Sequence, residues 1–232
     1  MLGSRRALAG AIIFCGVAFA ISQMTSAATA QTAAPAAATP AQVQVDLFRG
    51  LADIFSRGLD TLAERLNRQG YSARVYSTGG WQTAVARISD RYFRGHKEIV
   101  VLIGHSLGGN ATLQAASALD KANVPVELIV VFDATDPTPV PKNVLHIVNF
   151  YQHNGLGKPV TAGTGFQGEL SNIDLTADTS IRHVTIEKSS RLHAAVVAKI
   201  QEVVDKDLAK RLEASKPKAK KAPAKKPQAG KQ

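Results

Sequence analysis

Cysteine is nearly missing from this chain. The one residue of that type, Cys15, lies in an apolar run near the amino terminus, after Ile13-Phe14, which is not a lipoprotein box. Without that run the chain has no thiol and no disulfide, so its stability rests on its core. A thiol nucleophile and a Cys-ligated metal are excluded. Acid is missing from the other end: residues 216–232 hold seven lysines and no Asp or Glu. There is no internal repeat, and no clustered His, Asp and Glu spacing points to a metal. The longest apolar run, Ala7 to Ile21, is short for a permanent membrane span.

What is present at the ends reads as processing and tethering rather than fold. Arg5 and Arg6, the apolar run and the small residues Ala28-Thr29-Ala30 follow the order of a secretory signal peptide. Residues 1–30 are expected to be removed on export to the periplasm or beyond, by cleavage after Ala30, with Ala28 the alternative. Residues 31–42 form an Ala/Pro-rich linker. The tail, 216–232, cannot offset the entropy of ordering and is expected to be disordered. Its seven lysines with Arg5 and Arg6 carry nine of the ten net positive charges, so the middle is close to neutral. No specific nucleic-acid binding is therefore expected, only a weak, screened attraction of the tail to anionic surfaces. Residues 43–215 suffice for one domain with a substantial core.

Within that domain strands alternate with helices. Val43, Val45 and Leu47 alternate with Gln44 and Asp46 as a strand does. Leu59, Leu62, Ala63 and Leu66 recur at helical spacing, with Gly70 placed to end the helix. Ser72 to Tyr76 is a short strand, and Trp81, Val85, Ile88 and Tyr92 share one helical face. Glu98 to Ile103, Val126 to Phe132 and Val144 to Phe150 are apolar strands, Leu107 to about Lys121 an Ala-rich helix, and Leu192 to Leu208 a closing helix. This predicts an α/β fold: a mainly parallel sheet covered by helices on both faces. Tyr151 to Arg182 is read as one long, glycine-rich loop that could roof a site. The connection after Phe132 is short and proline-rich, so a helix is expected to be missing there.

The central motif is Gly104-His105-Ser106-Leu107-Gly108, with an apolar strand before it and a helix after it. This is a G-x-S-x-G nucleophile elbow: the turn lifts the serine Oγ off the sheet, and the helix points N–H groups toward a developing oxyanion. A serine hydroxyl needs a base, and the base an orienting acid. Asp133, directly after an apolar strand, is the candidate acid, with Asp136 and Asp174 as alternatives. His183 is the candidate base, in a late loop, with His193 as the alternative. His105 stands beside the nucleophile as a packing or hydrogen-bonding residue, and His96, His146 and His153 are structural. The N–H groups of Leu51, after Gly50, and of Leu107 are the candidate oxyanion donors. Arg49 is left for an ion pair with a nearby Asp.

The stretches Phe48-Arg49-Gly50-Leu51, Gly104 to Gly109, Phe132-Asp133 and His183 to Ile186 resemble the α/β-hydrolase superfamily, in particular small bacterial lipase- or thioesterase-like serine hydrolases. The likeness covers residues 43 to 210 and lacks a recognisable cap domain; the Thr135-Asp136 insertion before Pro137 leaves the choice of acid open. The resemblance implies a Ser-His-Asp hydrolase acting on a small-molecule ester, lipid or thioester, with no metal and no cofactor. The same scaffold could instead serve as a non-catalytic envelope or surface protein attached through its basic tail, or transfer the acyl group to an acceptor other than water.

Overall fold

Long β-branched runs that are apolar on both faces can be satisfied only between two layers of helix, and the two central strands are of that kind. The computed structural model describes residues 42–51 and 56–216; the expected signal peptide, the linker up to residue 41 and the tail from residue 217 lie outside the described residues. The regular elements are β1 (Val43–Phe48), α1 (Gly58–Arg68), β2 (Ser72–Tyr76), α2 (Trp81–Phe93), β3 (Ile99–His105), α3 (Leu107–Lys121), β4 (Val126–Phe132), β5 (Val144–Tyr151), β6 (Glu169–Asp174) and α4 (Ser190–Ser215). The six strands form one sheet in the order β2-β1-β3-β4-β5-β6. Every adjacent pair is parallel.

The two faces hold separate cores. Leu59, Leu62 and Leu66 of α1 and Leu192, Val196, Ile200 and Val203 of α4 pack with Val45, Leu47, Val101, Ile103 and Phe132 on one face. Ala84 and Ile88 of α2 and Ala111, Ala115 and Leu119 of α3 pack with Val100, Leu102, Ile129 and Val131 on the other. Each fully buried Leu, Ile or Val contributes about 1.5–3 kcal/mol relative to exposure, so these layers dominate the stability. Gly70 ends the α1 turn with φ of 89°, the left-handed conformation that costs glycine least.

Three features differ from the sequence reading. The stretch from Tyr151 to Arg182 is not one loop, because Glu169–Asp174 adds an edge strand paired with β5. Four of its six side chains are polar and most are exposed, so it carries no alternating pattern; its backbone partner makes it a strand. The closing helix is longer than its apolar stripe, running to Ser215. In β1, Gln44 and Asp46 are buried (3% and 0% exposed) despite the polar alternation. Arg87 of α2 answers both: its guanidinium donates to Gln44 Oε1 at 2.8 Å and to both Asp46 carboxylate oxygens at 2.7 and 2.6 Å. Burial still pushes the Asp46 carboxyl upward, against the pull of Arg87.

A buried ion pair costs most when only one partner is removed. Arg87→Met is expected to lower the unfolding free energy by about 3 kcal/mol in urea titrations. Asp46→Leu/Arg87→Met, which removes both charges, is expected to recover at least half of that loss.

Candidate active site

The strand order reverses about β1: the chain leaves it for β2 on one side and returns to β3 on the other. Crevices form at the carboxyl ends of strands where such a reversal occurs, and Ser106 follows β3 at that edge. Its backbone has φ of 57° and ψ of −124°, a rarely adopted conformation for a residue with a Cβ. The Ser106 N–H is held by the Phe132 carbonyl at 2.9 Å, and its carbonyl accepts from the Gly109 N–H at 2.9 Å. The flanking glycines make the turn possible. A Cβ on Gly104 would lie 2.2 Å from the Gly108 carbonyl oxygen, and one on Gly108 would lie 2.0 Å from the Phe48 carbonyl oxygen.

Asp133 follows β4 with φ of 53°, and its N–H donates to the Phe150 carbonyl at 2.8 Å. That backbone turn brings its side chain, fully buried, toward the late loop. Its Oδ1 accepts from the Gln152 N–H at 2.9 Å. Its Oδ2 lies 2.6 Å from His183 Nδ1. Gly157 passes so close that a Cβ there would overlap Asp133 Oδ1 at 1.7 Å. His183 Nε2 lies 3.0 Å from Ser106 Oγ. A carboxylate only accepts, so Nδ1 carries the proton and Nε2 is left to accept from the serine hydroxyl. Asp133, His183 and Ser106 therefore form one continuous hydrogen-bonded row.

The alternatives lie elsewhere. Asp136 is exposed, its N–H donating to Asn110 Oδ1 at 2.9 Å and its carboxylate near Lys158. Asp174 pairs with His153 at 2.6 Å; hydrogen bonds from Thr176, then from His153, hold its carboxyl well below the usual carboxylate range. His193 is buried and donates through Nε2 to the Glu187 carbonyl at 2.7 Å. Arg49 pairs with Asp60, and His146 lies against Glu169 and Glu127.

Leu51 and Leu107 both stand in the wall of a cavity of about 350 Å³ above Ser106, with Leu156 and Val184. Leu107 opens α3, and first-turn N–H groups have no acceptor within their own helix. Gly50 lies against Ser106: a Cβ there would be 3.1 Å from Ser106 Cβ. Among the described residues, no group of three or more His, Cys, Asp or Glu side chains is placed to hold a metal ion.

The sequence reading passed over Ser56, which is fully buried. Its Oγ accepts from the Gly50 N–H at 2.7 Å and lies 2.8 Å from His105 Nδ1; His105 Nε2 lies 2.8 Å from the His183 carbonyl. No local pattern marks a serine for this place, because its partner is 49 residues away. Burial, above all, lowers the His105 pKa to about 4.

That shift has a sign in stability. With 6.5 as the unperturbed value, the unfolded chain binds the proton more readily, so the contribution of neutral His105 is complete above pH 6.5 and is lost as pH falls toward 4. The stability advantage of wild type over His105→Gln is expected to shrink by about 2 kcal/mol between pH 8 and pH 5, measured by urea unfolding.

No family model matches the chain, and no curated protein matches it. Among solved structures, it is similar to an α/β-superfamily protein from Xanthomonas campestris pv. campestris: 18% identity, covering 68% of this chain and 99% of that one, TM-score 0.39. It is also similar to RedJ, with 12% identity over 69% of this chain and 93% of that one, TM-score 0.43. RedJ is a thioesterase of the prodiginine pathway in Streptomyces coelicolor. A cutinase-like protein from Cryptococcus sp. is similar over 46% of this chain and 75% of its own, at 14% identity and TM-score 0.33. Likenesses this distant carry no chemistry over. On its own strand order, all-parallel pairing and strand–elbow–helix turn, the chain has an α/β-hydrolase-like fold.

Proposed function

We propose that this protein is an exported serine hydrolase that cleaves a carboxylic ester, or a thioester, through an acyl-enzyme. The observation that carries the proposal is the row Asp133–His183–Ser106 at the foot of an apolar cavity. In this reading Ser106 Oγ attacks the acyl carbonyl while its proton passes to His183 Nε2. Asp133 stays ionised and stabilises the imidazolium. His183 then gives the proton to the leaving oxygen or sulfur as its bond to the acyl carbon breaks. Water repeats the sequence on the acyl-enzyme, releasing the acid and restoring Ser106. The N–H groups of Leu51 and Leu107 donate to the oxyanion, a contribution worth about 3–4 kcal/mol per donor in comparable sites.

The cavity wall supports an apolar acyl group. Leu51 (62% exposed), Leu156 (61%), Val184 (46%) and Leu107 (36%) are four of the eight exposed large apolar side chains among the described residues, and all four face this cavity. Side chains so exposed contribute little to folding, and their convergence on one serine marks a binding surface. Export is part of the proposal and rests on the signal-peptide order of residues 1–30; the Lys-rich tail would add weak attachment to anionic surfaces.

A fluorophosphonate probe is expected to label the mature protein at Ser106 only, as located by mass spectrometry, and Ser106→Ala is expected to cut p-nitrophenyl ester turnover by about a millionfold. Asp133→Asn should cost about ten thousandfold through the tautomer of His183, whereas Asp136→Asn should stay near wild type. Turnover of Ser106→Ala within a few-fold of wild type would sink the proposal.

Chain length gives a second measurement. Each CH₂ buried is worth about 0.8 kcal/mol, so kcat/KM on p-nitrophenyl esters is expected to rise by up to roughly fourfold per carbon from acetate until the cavity fills. Leu156→Asp should flatten that rise while leaving acetate hydrolysis nearly unchanged.

A further inference from the structure

Three hydrogen bonds through Ser56 and His105 have directions that their chemistry decides. The His183 carbonyl can only accept, so His105 Nε2, 2.8 Å away, carries a proton. His105 is 1% exposed and burial keeps it neutral, so its Nδ1 is bare and accepts. Ser56 therefore donates its hydroxyl proton to Nδ1 at 2.8 Å, and Ser56 Oγ accepts from the Gly50 N–H at 2.7 Å. The chain runs one way: Gly50 N–H to Ser56, Ser56 to His105, His105 to the His183 carbonyl. Every donor has one acceptor.

The ends of this chain are the two pieces of backbone that the reaction needs in register. Gly50 precedes Leu51, and His183 carries the base. We propose that His105 and Ser56 act as positioning residues, a brace across the elbow that holds the Gly50–Leu51 backbone and the His183 backbone at one separation over Ser106. The proposal rests on the hydrolase reading above. Neither residue takes part in the proton transfers: His105 already gives its only N–H to a carbonyl and spends its free nitrogen on Ser56. The ring of His105 also lies 5.1 Å from that of His183, centroid to centroid, tilted by 41°, so packing adds to the bond in orienting the base. Misplacing catalytic groups by an ångström can cost about a hundredfold in rate.

The test pairs kinetics with a readout that needs no substrate. In ¹⁵N NMR of the wild-type protein at pH 7, His105 is expected as the single neutral tautomer protonated at Nε2. Ser56→Ala is expected to lower kcat on p-nitrophenyl butyrate roughly ten- to hundredfold with KM within about twofold, because the brace orients and does not bind. Ser56→Thr, which keeps the hydroxyl, should recover most of the loss. His105→Gln keeps a donor toward the His183 carbonyl and loses the acceptor for Ser56; His105→Asn keeps the acceptor and loses the donor. Each should fall in the same range, and Ser56→Ala/His105→Gln should be no slower than the poorer single variant, as expected of one chain. A folded Ser56→Ala or His105→Gln with kcat within about twofold of wild type would overturn the brace, as would an Nδ1-protonated His105. Should Ser56→Ala not fold, the His105 variants and the tautomer still decide. Failure of the hydrolase reading is separable: it appears as absent fluorophosphonate labelling of wild-type Ser106, whereas failure of the brace alone leaves the labelling rate of Ser56→Ala unchanged.

Discussion

A Cβ on Gly108 would stand 2.0 Å from the Phe48 carbonyl oxygen, and one on Gly104 would stand 2.2 Å from both the Gly108 carbonyl oxygen and Thr112 Oγ1. The exits of β1 and β3 and the first turn of α3 thus share a space that only hydrogens leave open. That contact decides the rest of the carboxyl edge. It brings the Arg49–Gly50 backbone beside Ser106, points the start of α3 at the same place, and forces Ser106 into its positive-φ turn. The strain is borne by the two cores on either face, whose central strands have no other way to bury their side chains.

The buried polar groups of β1 and of the row around Ser106 are answered from distant parts of the chain. Arg87 reaches Asp46 and Gln44 across 41 and 43 residues. Ser56 reaches His105 across 49, and Asp133 reaches His183 across 50. Such pairs are worth little as surface contacts and a great deal as buried ones, because an unpaired donor or charge in the interior costs its full desolvation. The same rule makes the protonation pattern around Ser106 readable: the Asp133 carboxylate and the His183 carbonyl can only accept, so each donor there has one acceptor and each proton one place to be.

The mouth of the site is built on the opposite principle. Leu51, Leu107, Leu156 and Val184 stay partly in water, as Phe93, Leu145, Ile173 and Leu212 do elsewhere on the described surface, but these four stand together. They come from the loop after β1, the start of α3, the loop after β5 and the loop that carries His183. Four separate segments converge with apolar groups on one hydroxyl. These four share the cavity wall with Ser56 and His105, while the buried Asp133 carboxylate lies against His183 Nδ1.

From sequence alone, the strand Ile99–Ile103, the elbow and the helix after it were legible, because a parallel-sheet strand must be apolar and the turn demands glycine at fixed offsets. Asp133, directly after an apolar run, and His183, in a late loop, were preferred from the sequence over Asp136, Asp174 and His193, with no pattern to say which of them lie beside Ser106. Tertiary structure separates them: the positive φ at Asp133 turns its carboxylate toward His183, while Asp136, three residues on, is left in solvent. The edge strand Glu169–Asp174, the buried Asp46 and the bond from Ser56 to His105 had no local mark, since each depends on a partner supplied by another part of the chain. Period, turn chemistry and apolar runs are local properties that a sequence determines by itself. Which polar group is buried and where it points depends on contacts between residues far apart, and those exist only once the sheet and its two helical layers have closed around them.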